Sequence, residues 1–598
     1  MVNRIAALDV ESCHSKKCGT ECVRFCPVNK SGSECVVLNS ENISVINEVL
    51  CTGCGICVKK CPFSAITIVN LAEELKTEKI HQFNINSFRL YRLPTIGKSG
   101  VIGLVGKNGV GKSTTLNILS GNLKPNLGKY NSTPGWDEII DNFKGTEYKD
   151  HFEKIAYKEL RVSVKPQAVY HIPKLWKGDG KSLLKKFDDR GVASDLIEQL
   201  NLGECISKPV SEISGGEFQR LAIAVAAAKD ADLYFFDEPA SFNDVFQRMA
   251  VAQVIRELAG KGKTILLAEH DLTFLDYISD YIHIFYGESG AYGVISGIQS
   301  SRTGINVLLD GYLPEENVRF REKPVTFKAL AASEENLDLK TIAEYSNILK
   351  KYPGFELQID GGKIKENEVL GVLGANALGK TTFLRIVAGV EKAEKGKVKS
   401  SAKISYKPQY LDMDVDKSVI DLLQSASGDK LESGSYRAQI IDPFGIEKLM
   451  DKTTKELSGG ELQKVAIATC LLQDADIYAL DEPSAFIDIE DRISLAKTIN
   501  RFIKSHGKSA IVVDHDIQII DIVADKLLIF TGTSGVNGRA TASVNKEKGM
   551  NTFLHDLGIT YRRDIESGRP RVNKPGSKMD RFQKESGAYY YRSSGIEE

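Results

Sequence analysis

The chain has 598 residues, and its 78 Lys and Arg against 79 Asp and Glu leave a formal net charge of −1. That balance gives no general affinity for polyanions. No apolar run approaches the ~18 residues of a membrane helix, and the start MVNRIAALDVESC lacks the apolar core of a signal peptide, so the reading is of a soluble cytoplasmic protein of roughly three to five domains.

Nine of the eleven cysteines fall in the first 61 residues. Eight of them make two runs, Cys13, Cys18, Cys22, Cys26-Pro27 and Cys51, Cys54, Cys57, Cys61-Pro62. In a reducing compartment such thiols favour metal over disulfide. The second run has the C-x2-C-x2-C-x3-C-P spacing of bacterial two-cluster ferredoxins, in which the fourth cysteine of a run ligates the other cluster. That resemblance groups Cys51, Cys54 and Cys57 with Cys26, and Cys13, Cys18 and Cys22 with Cys61, around two 4Fe-4S clusters. Zinc sites from the same thiolates are the alternative; the Cys-Pro endings and the triple spacing favour iron–sulfur. Cys35 is left over, and Cys205 and Cys470 read as core residues.

Residues 101–116, VIGLVGKNGVGKSTTL, read as an apolar strand, a glycine-rich loop and a helix start. Gly106, Gly111, Lys112 and Ser113 fit G-x4-G-K-[ST], with Asn108, Gly109 and Thr114 in the same cradle. Its N–H groups curl round the β-phosphate of ATP or ADP, the lysine reaches the β/γ-phosphates and the hydroxyl ligates Mg2+. Residues 130–160 then hold WDEIIDNF and YKDHFEKI, two short amphipathic helices about Lys144-Gly145. Gln167 follows in KPQ, and Ser214, Gly215, Gly216 and Glu217 stand in ISGGEFQRLAIA. The strand LYFFDEP ends in Asp237 and Glu238, and ILLAEHDL carries His270. Consecutive carboxylates at the C-terminal end of a strand lie where ligands of open α/β sheets gather. Asp237 is placed to hold Mg2+ with Ser113 and Gln167, Glu238 to act on the attacking water, and His270 to sense the γ-phosphate.

The whole set recurs. VLGVLGANALGKTTFL supplies Gly374, Asn376, Gly379, Lys380, Thr381 and Thr382; KPQ supplies Gln409. LSGGELQKVAIA supplies Ser458, Gly459, Gly460 and Glu461; IYALDEP supplies Asp481 and Glu482; IVVDHDIQ supplies His515. Thr381, Gln409 and Asp481 are the matching Mg2+ set. Ser214 and Ser458 lie 244 positions apart, as do Asp237 and Asp481, whereas Lys112 and Lys380 lie 268 apart, so the first copy carries an insertion of 24 residues. A whole domain is duplicated. Near the C-terminus, residues 561–584 hold eight Lys and Arg against three Asp and Glu.

The ordered glycine loop, Gln, SGGE, DEP and His resemble ATP-binding-cassette ATPases. Two cysteine runs ahead of twin cassettes resemble, over the whole chain, the ABC subfamily E ribosome-recycling ATPases of archaea and eukaryotes. The marks are KCGTECVRFCPV, CGICVKKCPFSAI, GKNGVGKST, YGESGAYGVIS and RPRVNKPGSKMDRFQKE. The resemblance implies an α/β fold: two P-loop ABC-type nucleotide-binding domains set head to tail, preceded by an α+β ferredoxin-like domain. It implies domains at 1–75 (iron–sulfur), 76–300 (first cassette, with a helix–loop–helix insertion near 130–160), 301–325 (hinge), 326–545 (second cassette) and 546–598 (C-terminal hinge). It places Ser458 and Gly460 at the site built on Lys112, and Ser214 and Gly216 at that built on Lys380.

It implies ATP-driven splitting of ribosomes after termination or stalling, a stay on the small subunit and its rRNA, and Pelota, the termination release factor or initiation factors as partners. The protein is expected to be a monomer without a membrane, its clusters structural. Phe83, Phe88 and Phe355 are the expected adenine-stacking aromatics. The insertion, with six Lys against seven Asp and Glu over 124–160, matches the family's rRNA-touching helices without being basic. Departures are Asn243 for an apolar residue, Ala375 and Ala377 for Pro and Gly, and Ser15 for a proline. An ATP-gated iron–sulfur electron-transfer ATPase is the alternative function; no flavin fingerprint or second redox motif accompanies it.

Overall fold

A computed structural model of the protein describes residues 3–10, 12–71, 78–167, 169, 176–325, 327, 339–409, 417–564 and 567–591. The chain forms two compact units. One comprises Met1–Ser241, Gln253–His270 and Ile278–Pro324, the other Phe242–Ala252, Asp271–Tyr277 and Val325–Glu598.

The first unit opens with the cysteine-rich domain. Strand Asn3–Leu8 pairs antiparallel with Ile66–Leu71, and Val36–Leu38 with Ser44–Ile46. Short helices at Glu21–Arg24, Pro27–Lys30 and Ile56–Lys60 hold Cys22 and Cys57, with Cys26 and Cys61 as flanking caps. Pro27 starts its helix, where a missing N–H costs nothing, and Cys26 is the extended cap before it. Gly55 takes φ +68° to turn the chain into the third helix. This domain is tied to the cassette beside it through buried Asn86, whose amide donates to the carbonyls of Ala6 and Ile46 while its oxygen accepts from Ile46 N–H. Arg89 reaches Glu48 at 2.6 Å nearby.

The first cassette is built on a nine-stranded sheet. At its centre Tyr281–Glu288, Gly100–Gly106, Thr264–Ala268, Leu233–Asp237 and Val162–Lys165 run parallel in that order. Leu233–Asp237 and most of Gly100–Gly106 are buried, which is why both read as unbroken apolar runs. The insertion folds as helices Trp136–Asn142 and Glu147–Ala156. Ile139, Phe143 and Phe152 anchor it in the cassette core, and His151 Nε2 meets the Leu119 carbonyl. YGESGAYGVIS forms the antiparallel pair Tyr281–Glu288 and Tyr292–Ile295 inside this sheet. Residues 301–325, expected as a hinge, hold helix Ser301–Asp310 and the hairpin Tyr312–Leu313 with Val318–Arg319, all in the first unit. The expected boundary at 75/76 lies outside the described residues.

The second unit repeats the parallel order, with Lys526–Thr533, Val369–Leu373, Ser509–Val513, Ile477–Asp481 and Ile404–Lys407 adjacent in its eleven-stranded sheet. The C-terminal segment packs on it as helix Lys546–Leu557, hairpin Tyr561–Arg563 with Pro570–Val572, and helix Lys578–Glu585. Two of the eight Lys and Arg of 561–584, Arg569 and Arg571, are buried. Arg569, fully buried, makes an ion pair with Asp276, also fully buried. Arg571 lies 3.6 Å from Asp276 and 3.3 Å from Asp564, and Tyr561 shares a 3.0 Å hydroxyl contact with Thr273. These bonds hold Asp271–Tyr277 to a segment almost 300 positions later in the chain.

Removing one partner of such a pair leaves buried charge uncompensated. Asp276→Ala is expected to destabilise the second unit by about 3–5 kcal/mol. In urea unfolding of the full chain this appears as a lower midpoint, and a joint Asp276→Leu, Arg569→Met change should recover most of it. A midpoint equal to wild type for Asp276→Ala would show that the pair carries no stability.

Candidate functional site: two phosphate loops and a cysteine core

Each glycine loop joins a buried strand to a helix N-terminus, Lys112–Leu119 in one unit and Lys380–Val387 in the other. Gly111 and Gly379 take φ of +97° and +89°. A Cβ at Gly111 would lie 2.7 Å from Phe88, and one at Gly379 2.9 Å from Leu357, so both positions need glycine twice over. Lys112 Nζ donates to the carbonyls of Gly106 and Lys107 at 2.8 Å each; Lys380 Nζ donates to those of Gly374 and Ala375 at 2.8 and 2.6 Å. The ammonium is thus folded over its own loop. Burial pulls Lys380 down to about 8, against the opposing pull of Asp244, Glu482 and Asp481.

Ser113 Oγ donates to Asp237 Oδ2 at 2.9 Å, across 124 positions. Burial raises the Asp237 carboxyl, and the Ser113 bond opposes it. Asp481 is fully buried, and neither of its carboxylate oxygens has a hydrogen-bond partner. Burial pushes it up to about 6, against Thr381, Lys407 and Lys380. An orphaned buried carboxylate beside a threonine hydroxyl and a lysine fits a hard divalent cation with oxygen ligands. Mg2+ held by Ser113 and Asp237, or by Thr381 and Asp481, would neutralise phosphate charge.

The glutamates after these acids are held by their own partners. Gln167 Nε2 donates to Glu238 Oε1 at 2.7 Å, and Ser241 Oγ to Oε2 at 3.1 Å. Gln409 Nε2 donates to Glu482 Oε1 at 2.8 Å, and His515 Nε2 lies 3.0 Å from the same oxygen. Burial raises the Glu482 carboxyl, but His515, Gln409 and Lys380 outweigh it and bring it to about 2, so it is an ionised acceptor at neutral pH. In both units Gln, Asp and Glu therefore converge on one strand end.

His270 is buried beside Glu269. The SGGE turns cap helices Gly215–Ala228 and Gly459–Leu472 as capping boxes. Glu217 accepts from the Ser214 N–H at 3.1 Å and Glu461 from the Ser458 N–H at 2.8 Å, which leaves both serines exposed at a helix N-terminus.

Three features escaped the sequence reading. Asp244 accepts from the Asn376 N–H at 2.6 Å, in the second glycine loop. Asp244 and Asp488 follow Glu238 and Glu482 by six positions each, a repeat that attention to Asn243 obscured. Asn243 itself is buried, and its carbonyl accepts from Arg248 Nε. Tyr352 precedes Gly374 by 22 positions much as Phe83 precedes Gly106 by 23. It is 38% exposed and stacks obliquely on Phe355, with Thr382 of the loop helix beside it. Phe83 is 52% exposed, as a ring that stacks on adenine must be before ligand binds, while Phe88 packs into the cassette core. The third feature is a pair of buried lysines, Lys165 and Lys407, whose pKa burial pulls down to about 8.

In the N-terminal domain Cys22, Cys26, Cys35, Cys51 and Cys57 form part of one core, with Cys13 and Cys61 packed on it and Cys54 exposed. Among the described residues no three donors close on a single ion position. Charge coupling links the thiol of Cys22 to those of Cys61 and Cys18, and that of Cys57 to those of Cys51, Cys54 and Cys22. Soft thiols gathered in one small core fit iron–sulfur clusters. Cys35 is buried against Cys26 and Cys51, and burial and those thiols raise its pKa. Cys205 and Cys470 are buried, far along the chain from this core.

Residues 94–241 and 357–485 match the family model described as ABC transporter. Residues 4–34 match "Possible Fer4-like domain in RNase L inhibitor, RLI", and 44–67 match a 4Fe-4S binding domain. ABC transporter E family member 1 of Arabidopsis thaliana is 42% identical, over 99% of both chains. A solved structure described as a model of ribosome-bound archaeal Pelota and ABCE1 matches with TM-score 0.91 and 46% identity, over 99% of this chain and 100% of the other. A crystal structure of archaeal ribosomal stalk protein aP1 with archaeal ribosome recycling factor aABCE1 matches with TM-score 0.83 and 45% identity, over 87% and 100%. The chain is accordingly an ATPase with two ABC domains that uses ATP, Mg2+ and two 4Fe-4S clusters. Among the described residues no helix is long and apolar enough to cross a membrane.

Cys35→Ser is expected to retain about eight irons per chain, the content of two 4Fe-4S clusters. Cys54→Ser and Cys61→Ser should each lose about half. Iron and acid-labile sulfide analysis decides, and a halved iron content in Cys35→Ser would overturn the ligand sets.

Proposed function

The chain belongs to the E family of ABC proteins, and from that premise we propose that it is a cytoplasmic ribosome-recycling ATPase, which splits ribosomes after termination or stalling and then stays for a time on the small subunit. The observation that carries this is the presence of the full hydrolytic set in both cassettes of one chain, fused to a domain with two four-cysteine runs. A passive anti-association factor needs neither glutamate. Relatives described with Pelota and with a ribosomal stalk protein support the same two contacts here.

In this reading ATP binds through Lys112 and Lys380 and through the loop N–H groups, and Phe83 and Tyr352 stack on adenine. Glu238 and Glu482 accept a proton from the attacking water, oriented by Gln167 and Gln409; His515 holds the second carboxylate in place. Binding energy performs the splitting, and hydrolysis resets the protein. The anchored insertion offers exposed Tyr157 and Lys158 at its end for rRNA. The C-terminal segment, with Arg569 and Arg571 paired inside, serves as a hinge.

Gln at both Glu238 and Glu482 keeps the side-chain volume but cannot accept the water's proton. The double variant is therefore expected to bind ATP, to lose turnover by at least about a hundredfold, and to accumulate with small subunits in sucrose gradients. One round of splitting should survive at stoichiometric protein and fail below it. ATP-dependent binding to small subunits that is absent in both wild type and variant would overturn the recycling reading.

A further inference from the structure

Strand Leu233–Asp237 lies beside Val162–Lys165 in parallel register, with Lys165 opposite Phe236; strand Ile477–Asp481 lies beside Ile404–Lys407, with Lys407 opposite Leu480. In each cassette a lysine therefore ends the neighbouring strand one residue short of the Asp–Glu pair. Each is followed by a proline, Pro166 or Pro408, which has no N–H to continue the ladder. The carbonyls at the end of the Asp–Glu strand lose a backbone donor there, in an interior where an unpaired carbonyl is costly.

The lysine side chains supply it. Lys165 Nζ donates to Asp237 O at 2.7 Å and Glu238 O at 3.1 Å. Lys407 Nζ donates to Asp481 O at 2.8 Å and Glu482 O at 3.3 Å. Both lysines are 1% exposed, and no carboxylate lies within ion-pair distance of either among the described residues. Gln219 Nε2 adds a third donor, to Glu238 O at 2.7 Å. The dipeptide so held is unusual: Glu238 and Glu482 take φ of +48° and +46°, a left-handed conformation costing an ordinary residue about 1–2 kcal/mol. A charged donor shared between the carbonyls on either side of that residue's nitrogen and α-carbon offsets this cost, and fixes where its carboxylate points.

We infer that Lys165 and Lys407 are positioning residues for ATP hydrolysis, each clamping two successive carbonyls so that Glu238 or Glu482 is held in the left-handed turn that aims its carboxylate at the reacting water. The same clamp occurs in both cassettes at the same register, on the strands VSVK and ISYK. A lysine present only to fill space would be replaced by an apolar residue at no cost to chemistry.

The test isolates one site at a time in the full chain with its clusters. Lys165→Met and Lys165→Gln are made on Glu482→Gln, and Lys407→Met and Lys407→Gln on Glu238→Gln. Lys→Met is isosteric without a donor, and Lys→Gln keeps one neutral donor. The expected order of kcat is Lys, Gln, Met, with Met lower by about ten- to a hundredfold, as for a displaced reacting group. The dissociation constant for ATP by equilibrium binding should stay within about twofold. On the glutamate variant of the same cassette, for example Lys165→Met with Glu238→Gln, residual hydrolysis should fall no further. Equal kcat for Lys, Gln and Met, a loss of ATP affinity as large as the loss of kcat, or a further fall in the absence of the glutamate would each overturn the assignment. If a Met variant fails to fold, the Gln variant carries the same three readouts.

Discussion

The structure turns on one constraint: two consecutive carboxylates must be delivered from the end of a strand buried on both faces. Side chains alternate along a strand, so an Asp facing the phosphate loop puts the next residue on the far side. The chain meets this by leaving β geometry at once. Asp237 and Asp481 close the strand, and Glu238 and Glu482 turn left-handed directly after it. The turn returns the glutamate to the same side as the aspartate, within reach of Gln167 or Gln409 on the neighbouring strand's exit loop. The strain is local, of about 1–2 kcal/mol, and the surrounding bonds over-determine it. Proline after the lysine ends the competing ladder, the lysine satisfies the stranded carbonyls, and the glutamate is left one conformation.

The same economy governs the additions to the cassettes. The insertion is amphipathic because it is anchored: Ile139, Phe143 and Phe152 enter the core, and the remaining face is solvated. Its overall charge is near neutral, with Lys158 exposed at its end. The C-terminal segment runs opposite to its composition. Arg569 and Arg571 sit inside, on Asp276 and Asp564, so the middle of this basic stretch is a bolt within the second unit while Lys578 and Arg581 stay exposed. Buried ion pairs of this kind add little net stability but are expensive to break from one side, which suits a segment that must stay in one register.

The motif chemistry was legible in the sequence because it is local. Gly111 and Gly379, the SGGE caps and the Asp–Glu ends each depend on residues a few positions apart, and the structure places each where the spacing says. The α/β fold was implied by the family pattern rather than by periodicity. What could not be read is what depends on distant partners. Nothing near Asp244 in sequence says that its carboxylate meets Asn376, 132 positions away. Nothing around Arg569 says that it is buried. Lys165 and Lys407 were visible as letters of KPQ, yet a lysine on a strand end reads as solvated, and only the register beside the Asp–Glu strand shows it to be internal. Cys35 is a similar case: counting leaves it over, and the fold places it against Cys26 and Cys51.

Duplication gives two sites of one design, and the differences between them bear on what they do. Position 241 is Ser and its counterpart is Ala485. In the first cassette Glu238 is held by Gln167 and by the Ser241 hydroxyl, a partner three positions away on its own loop. In the second, where alanine has no hydroxyl, Glu482 is held by Gln409 and by His515, 33 positions on. The imidazole helps bring Glu482 to about 2, which makes it a weaker proton acceptor while that contact lasts. The loop lysine and strand-end aspartate are the same residue types in both cassettes, and what differs is what grips each glutamate.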